Sequence, residues 1–145
     1  MLNTSRIRIL TIGKIKKPWI QDGLNIYLKR LPGLQITELR DSTPSLENKS
    51  LQASIKKNEF SIALAEEGEV LNSLLFADRL QKLNSKRLVF LIGGAEGLNT
   101  QLKSTANLQV SLSPLTFPHE IARLLLVEQI YRAQTILQGT PYHRN

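Results

Sequence analysis

The residues best equipped for chemistry lie late in the chain. Tyr142-His143-Arg144 sets an aromatic ring, a titratable imidazole and a fixed cation side by side. An aromatic ring can stack on an extruded base, and arginine can hold a phosphate. Imidazole is the side chain best suited to moving a proton near neutral pH. Upstream, Glu128 and Arg132 stand one helical turn apart, as do His119 and Arg123. Both pairs also fit an ordinary ion pair and a helix-start histidine. Gly93-Gly94-Ala95-Glu96-Gly97 allows close backbone approach to a ligand, and equally allows a plain tight turn. It lacks the Gly-Lys-Ser/Thr of a phosphate loop, and its spacing is not that of the dinucleotide fingerprint. Leu112-Ser113-Pro114-Leu115-Thr116-Phe117-Pro118 is apolar and pinned by two prolines. Such a loop can hold an adenine ring by main-chain hydrogen bonds, or simply join a strand to a helix. With two histidines and no cysteine, zinc is not expected, and neither disulfides nor thiol chemistry is available.

The elements that must position these residues alternate. Strands are expected at Ile7 to Ile12, Leu34 to Leu39, Phe60 to Ala65, Leu88 to Ile92 and Leu108 to Leu112. Glu66-Glu67-Gly68 is expected to end the third. Five uninterrupted apolar residues from Leu88 mark a strand buried on both faces. Helices are expected from Pro18 to Pro32-Gly33, around Leu51 and Ile55, from Leu74 to Leu83 with a cap at Asn72 or Ser73, briefly after Gly97, and from His119 to Gln138. This order implies a single α/β layered domain, residues 1–145, with a mainly parallel sheet. Ligands bind such sheets at the carboxyl ends of the strands, where the loops after Ile92 and Leu112 lie. The last helix is apolar nearly all round, so a partner subunit is expected to cover one side, making a homodimer. A central place in the monomer core is the alternative.

Composition bounds the partners. The chain has 145 residues, 41% hydrophobic and 21% charged, enough for one core. A formal net charge of +7 favours a polyanionic partner, because neutralising phosphates releases counterions. Lys14, Lys16 and Lys17 beside Trp19 form a candidate RNA-contact patch, or a solvated loop. No basic amphipathic helix, apolar span or signal-peptide layout points to a membrane, so a cytoplasmic protein is expected.

Taken in order, Leu91-Ile92-Gly93-Gly94-Ala95-Glu96-Gly97-Leu98, Leu112-Ser113 with Leu115-Thr116-Phe117-Pro118-His119, Arg123-Leu124 with Val127 to Ala133, and Pro141-Tyr142-His143-Arg144 resemble the bacterial large-subunit rRNA pseudouridine N3-methyltransferases, a family of knotted SPOUT methyltransferases. The resemblance is dense from Leu88 to Arg144 and looser before, where Gly13-Lys14 and Lys17-Pro18-Trp19 also fit. It implies a C-terminal trefoil knot holding S-adenosyl-L-methionine (AdoMet), a homodimer, and methylation of N3 of a pseudouridine in a large-subunit (23S) rRNA stem-loop within assembled ribosomes. It implies cofactor contacts at Leu64, Gly93, Leu112, Ser113, Pro114, Leu115, Thr116 and Phe117. It implies that the tail, Tyr142, His143 and Arg144, reaches the active site; because an imide nitrogen reacts only as its proton leaves, His143 is expected as general base or as a relay through water, Tyr142 as a ring stacking on the flipped base, and Arg144 with Arg132 or Arg123 as stabilising the imide anion or holding phosphate. No metal is implied. Ala65 and Glu69 depart from the family's Asp and Lys, which puts any side-chain role in that loop in question. A non-catalytic RNA-binding relative, a Rossmann-type nucleotide-binding enzyme and a ribose 2′-hydroxyl methyltransferase stay open as alternatives.

Overall fold

The computed structural model describes residues 1–144. After a short 3-10 turn (Thr4–Arg6), five strands alternate with five helices: β1 (Ile7–Ile12), α1 (Pro18–Leu28), β2 (Gln35–Leu39), α2 (Pro44–Ser54), β3 (Glu59–Val70), α3 (Ser73–Lys82), β4 (Arg87–Ile92), α4 (Thr100–Thr105), β5 (Leu108–Ser111) and α5 (His119–Gln138). All strands pair in parallel, in the order β2-β1-β4-β3-β5. The single α/β domain with a parallel sheet is therefore as expected.

The core has two halves, one on each face of the sheet. Side chains alternate across a strand. On β4, Leu88, Phe90 and Ile92 face the α1, α3 and α5 side, while Val89 and Leu91 face α2 and α4. This double burial is what an unbroken apolar run predicts. Each such Leu, Ile or Phe contributes roughly 1.5–3 kcal/mol by leaving water. Local signals fix the helix ends. Thr43, Asn72 and Asn99 cap α2, α3 and α4 through their side-chain oxygens, and Pro18 and Pro44 sit in first turns. Gly139 ends α5 in the left-handed region, φ 73°.

Three expectations need correction. Glu66-Glu67-Gly68 does not end β3. The strand bulges there and resumes: Leu64 and Glu69 both stand opposite Val110 of β5. A polar pair before a glycine suggests a stop, but a bulge lets such residues face outward while the ladder restarts. Gly68 makes this possible, since a Cβ there would lie 2.8 Å from the Val110 amide nitrogen. Ile55 follows α2 as its C-cap, in extended conformation, yet packs into the same cluster as Leu51. β5 stops at Ser111, which leaves Leu112 to the following loop.

Candidate active site

The loops at the carboxyl ends of β3, β4 and β5 enclose a cavity of about 310 Å3, within the range of small-molecule sites. Its apolar lining comes from Leu64, Ile92, Leu98, Leu112, Leu115, Phe117 and Ala122. Gly93 is essential to its shape. The residue is buried, and a Cβ there would lie 2.7 Å from the Gly97 carbonyl oxygen. Only glycine lets the first and last turns of this loop touch. The rim carries Glu66, Glu67 and Glu96 against one lysine, Lys103, which pairs with Glu67. That pair holds the Glu67 carboxyl below its ordinary range, chiefly through the Lys103 hydrogen bond.

His119, at the first turn of α5, also lines this cavity. Its Nδ1 is buried and has no hydrogen-bond partner among the described residues. A buried polar nitrogen is costly to leave unpaired. The neighbouring Glu120 is held differently. Burial alone would raise its carboxyl, but the amides of Lys16 and Lys17 donate to Oε1 at 3.0 and 3.3 Å and shift it below the ordinary range. The loop after β1 is thereby tied to α5.

Six of the eight expected cofactor residues therefore come together: Leu64, Gly93, Leu112, Ser113, Leu115 and Phe117. Pro114 and Thr116 do not line the cavity; both are exposed. Sequence reasoning missed the acidic rim, because Glu66 and Glu67 read as a strand break.

The tail lies elsewhere. Tyr142 donates from its hydroxyl to Glu128 Oε2 at 2.8 Å and stacks edge-on against Tyr131, centroids 4.8 Å apart. Arg132 pairs with Glu128 at 2.8 Å, lies 4.8 Å over the Tyr142 ring, and contacts His143 Nδ1 at 3.1 Å. Burial, then the hydrogen bonds to Tyr27 and Glu128, raise the Tyr142 hydroxyl well above its ordinary value. The hydrogen bond to Glu128 raises the Arg132 guanidinium. Arg144 is exposed. Tyr142, His143 and Arg132 thus form one cluster on the last turns of α5, joined by Glu128, Tyr131 and Tyr27. The cavity sits against the first turn of that helix. No described tail residue lines the cavity; from Ala122, which does, to Glu128, which holds Tyr142, the helix rises roughly 9 Å. The tail does not fold back over the cavity of its own chain.

Arg123 is not in either group. It is 1% exposed and donates to Glu38 at 2.5 Å, to the Gly13 carbonyl at 2.9 Å and to Thr11 at 3.3 Å. Its guanidinium fastens α5 to the end of β1 and is not available to a substrate. Among the described residues no cluster of His, Asp and Glu could hold a metal ion. No helix of the described residues is long and apolar enough to cross a membrane.

Residues 5–143 match the family described as "Predicted SPOUT methyltransferase". The chain is 63% identical to the ribosomal RNA large subunit methyltransferase H of Prochlorococcus marinus (strain MIT 9211), over the full length of both. It is 59% identical to the protein of that name from Parasynechococcus marenigrum (strain WH8102), over 99% of each. Among solved structures it resembles a probable methylase family protein from Haemophilus influenzae Rd KW20. That match has a TM-score of 0.61 and 10% identity, covering 97% of this chain and 71% of that one. At such identity the likeness speaks for the fold alone.

Proposed function

The chain belongs to the SPOUT methyltransferase family, alongside the ribosomal RNA large subunit methyltransferase H proteins, and from that membership we propose an AdoMet-dependent enzyme that methylates N3 of a pseudouridine in large-subunit rRNA. The observation that carries the proposal is the cavity at the carboxyl ends of β3, β4 and β5, which gathers six residues of the expected cofactor set around one glycine-walled turn.

The residues present fit AdoMet. The apolar lining suits an adenine ring, and the main chain from Leu112 to Phe117 offers it hydrogen-bonding groups. The buried, unpartnered His119 Nδ1 offers a further contact. Glu66, Glu67 and Glu96 at the rim suit the cationic methionine portion, with Lys103 near enough to meet its carboxylate. When bound, AdoMet supplies an electrophilic methyl group on a sulfonium centre. The knot expected for this family is consistent with the path of the chain. After β4 the chain crosses beyond β3 to form β5, and the next loop returns to the cavity beside Leu64 and Gly93.

The acceptor nitrogen is an imide that reacts well only as its proton leaves. The tail is built to assist. A guanidinium has donors only, so Arg132 donates to His143 Nδ1 and leaves the imidazole proton on Nε2. In this arrangement Nε2–H is a donor, suited to a developing negative charge on a ring carbonyl. His143 acts as the proton acceptor once Arg132 lets go of Nδ1. Tyr142 offers a ring held by Tyr131 and Arg132 for a base to stack on.

Because no described tail residue lines the cavity of its own chain, one chain as it stands does not assemble both. We place the site between two copies, the tail of one meeting the cavity of the other. Trp19 and Ile26 support this: seven residues apart on α1, they share a face and are 60% and 53% exposed. A second copy covers them. The substrate is rRNA in the assembled ribosome, in the cytoplasm. Transfer of radiolabelled methyl from AdoMet to ribosomes lacking the modification, with free rRNA in parallel, tests the reading. Label at the large-subunit pseudouridine is the expected result. Label on a ribose 2′-hydroxyl overturns the N3 assignment, and absence of both label and AdoMet binding overturns the enzyme.

A further inference from the structure

Charge is distributed unevenly between the two ends of the sheet. The rim of the cavity carries Glu66, Glu67 and Glu96 against Lys103, while the loop after β1 at the same end of the sheet carries Lys14, Lys16 and Lys17, all exposed. An acidic mouth repels the phosphates of the strand that must approach it. The opposite end, where the strands begin, is basic. Arg6 precedes β1, Lys56 and Lys57 precede β3, and Lys86 and Arg87 open β4. The register sets Glu59 opposite Arg87 and Phe60 opposite Leu88, so these segments are neighbours. All five cations are exposed.

They frame two adjoining hollows of about 480 and 320 Å3, which share Arg6, Asn58, Glu59 and Arg87. Glu59 is the one carboxylate in either lining, and it is already committed. Arg8 binds both of its oxygens, at 2.7 and 2.9 Å, with the two side chains 9% and 5% exposed. The five outer cations therefore face solvent with no carboxylate in either lining besides Glu59. Two are fixed in place: Arg6 donates to the Ser85 carbonyl at 3.0 Å, and the Lys86 ammonium sits 5.9 Å over the Phe60 ring. Asn58 and Asn107 add amides to the same surface. Exposed cations mixed with amides in a concave surface match a phosphodiester backbone.

We propose that this surface docks the phosphate backbone of a second rRNA segment, separate from the strand presenting the methyl acceptor. The inference rests on the reading of the protein as an rRNA methyltransferase and adds how so small a domain is oriented on its substrate. The hollows lie roughly 20 Å from the cavity of the same chain, the length of a six-residue strand. The surface therefore contributes to ribosome affinity and not to the chemical step.

The test uses the full chain with Lys57→Gln, Lys86→Gln and Arg87→Gln combined, Lys57→Gln alone, and Lys49→Gln as an exposed control away from the hollows. AdoMet affinity, kcat and KM for ribosomes are measured across a salt series. The triple variant is expected to raise KM at least about tenfold, keep kcat within about twofold, and bind AdoMet as before. Its log KM should depend on log salt with a slope lower by about two to three, and that of Lys57→Gln by about one. Lys49→Gln should match the parent. An unchanged KM and salt slope in the triple variant overturns the proposal. So does a loss confined to kcat, or selective binding of wild type to phosphatidylserine vesicles with ribosome KM unaffected. If the parent protein methylates no rRNA, the reading beneath the proposal fails first, and the variants are not needed to show it.

Discussion

Arg132 donates a hydrogen bond to Nδ1 of His143, 3.1 Å away, while the same guanidinium grips Glu128 at 2.8 Å. A residue on the last helix thus sets the tautomer of a residue on the tail. Nitrogen-detected NMR of the imidazole is expected to show the proton on Nε2. Arg132→Gln should move the population toward the mixture of a free imidazole and lower kcat at least about tenfold, with AdoMet affinity unchanged. Arg132→Lys keeps the charge but loses the forked pairing with Glu128, and should rescue little. A dominant Nδ1–H form in the parent protein would mean that this pair does not exist in solution.

His119 should show function and stability pulling apart. Its Nδ1 is buried in the cavity wall without a partner. Replacing it with phenylalanine removes an unpaired polar atom, whose burial costs about 1–3 kcal/mol. We expect His119→Phe to melt no lower than the parent, while AdoMet affinity measured by calorimetry falls at least about tenfold. Undiminished affinity would place the cofactor away from this wall.

Much of this arrangement is legible in the residues. The unbroken run Leu88 to Ile92 announced the doubly buried strand, and Asn72 and Gly139 marked helix ends through capping chemistry that acts locally. The bulge at Leu64 to Glu69 was not legible. Whether a polar pair ends a strand or loops out of it depends on β5, which is some forty residues away in the sequence. Arg123 was misjudged for a related reason. Its helical spacing from His119 is visible, but Glu38 and the Gly13 carbonyl reach it only through the tertiary fold. The tail's residue types were evident; that they gather around Glu128, away from the cavity of their own chain, was not.

The pair Arg8–Glu59 predicts a pH dependence of stability. Burial would raise the Glu59 carboxyl, but Arg8 and the Lys56 amide outweigh it, so the folded value lies below the model-peptide one. A carboxyl depressed by folding stabilises the native state above its unfolded pKa. That contribution is lost as pH falls through the unfolded value, near 4.5, toward the lower folded one. Resistance to urea should therefore fall below about pH 4.5 in the parent protein. In Glu59→Gln, which is expected to be less stable at neutral pH, that part of the acid loss should disappear. Parallel pH profiles for the two proteins would show that the pair is not what titrates.

The separation of tail and cavity along α5 makes a prediction that mutation of a single chain cannot test. If each active site takes its cavity from one copy and its tail from the other, two inactive variants should restore one another. Gly93→Val drives a side chain into the Gly97 backbone and should abolish AdoMet binding. His143→Ala should bind AdoMet and turn over poorly. Each homodimer then lacks a working site. In a heterodimer, one site inherits both defects and the other inherits neither, because the intact cavity of the His143→Ala copy meets the intact tail of the Gly93→Val copy. Coexpression with two affinity tags, followed by tandem purification, isolates that species. It is expected to show about half the parent kcat, since one of two equivalent sites works. Activity no greater than that of either homodimer would mean that tail and cavity act within one chain, and that the tail must leave Glu128 and swing roughly 10 Å to reach it.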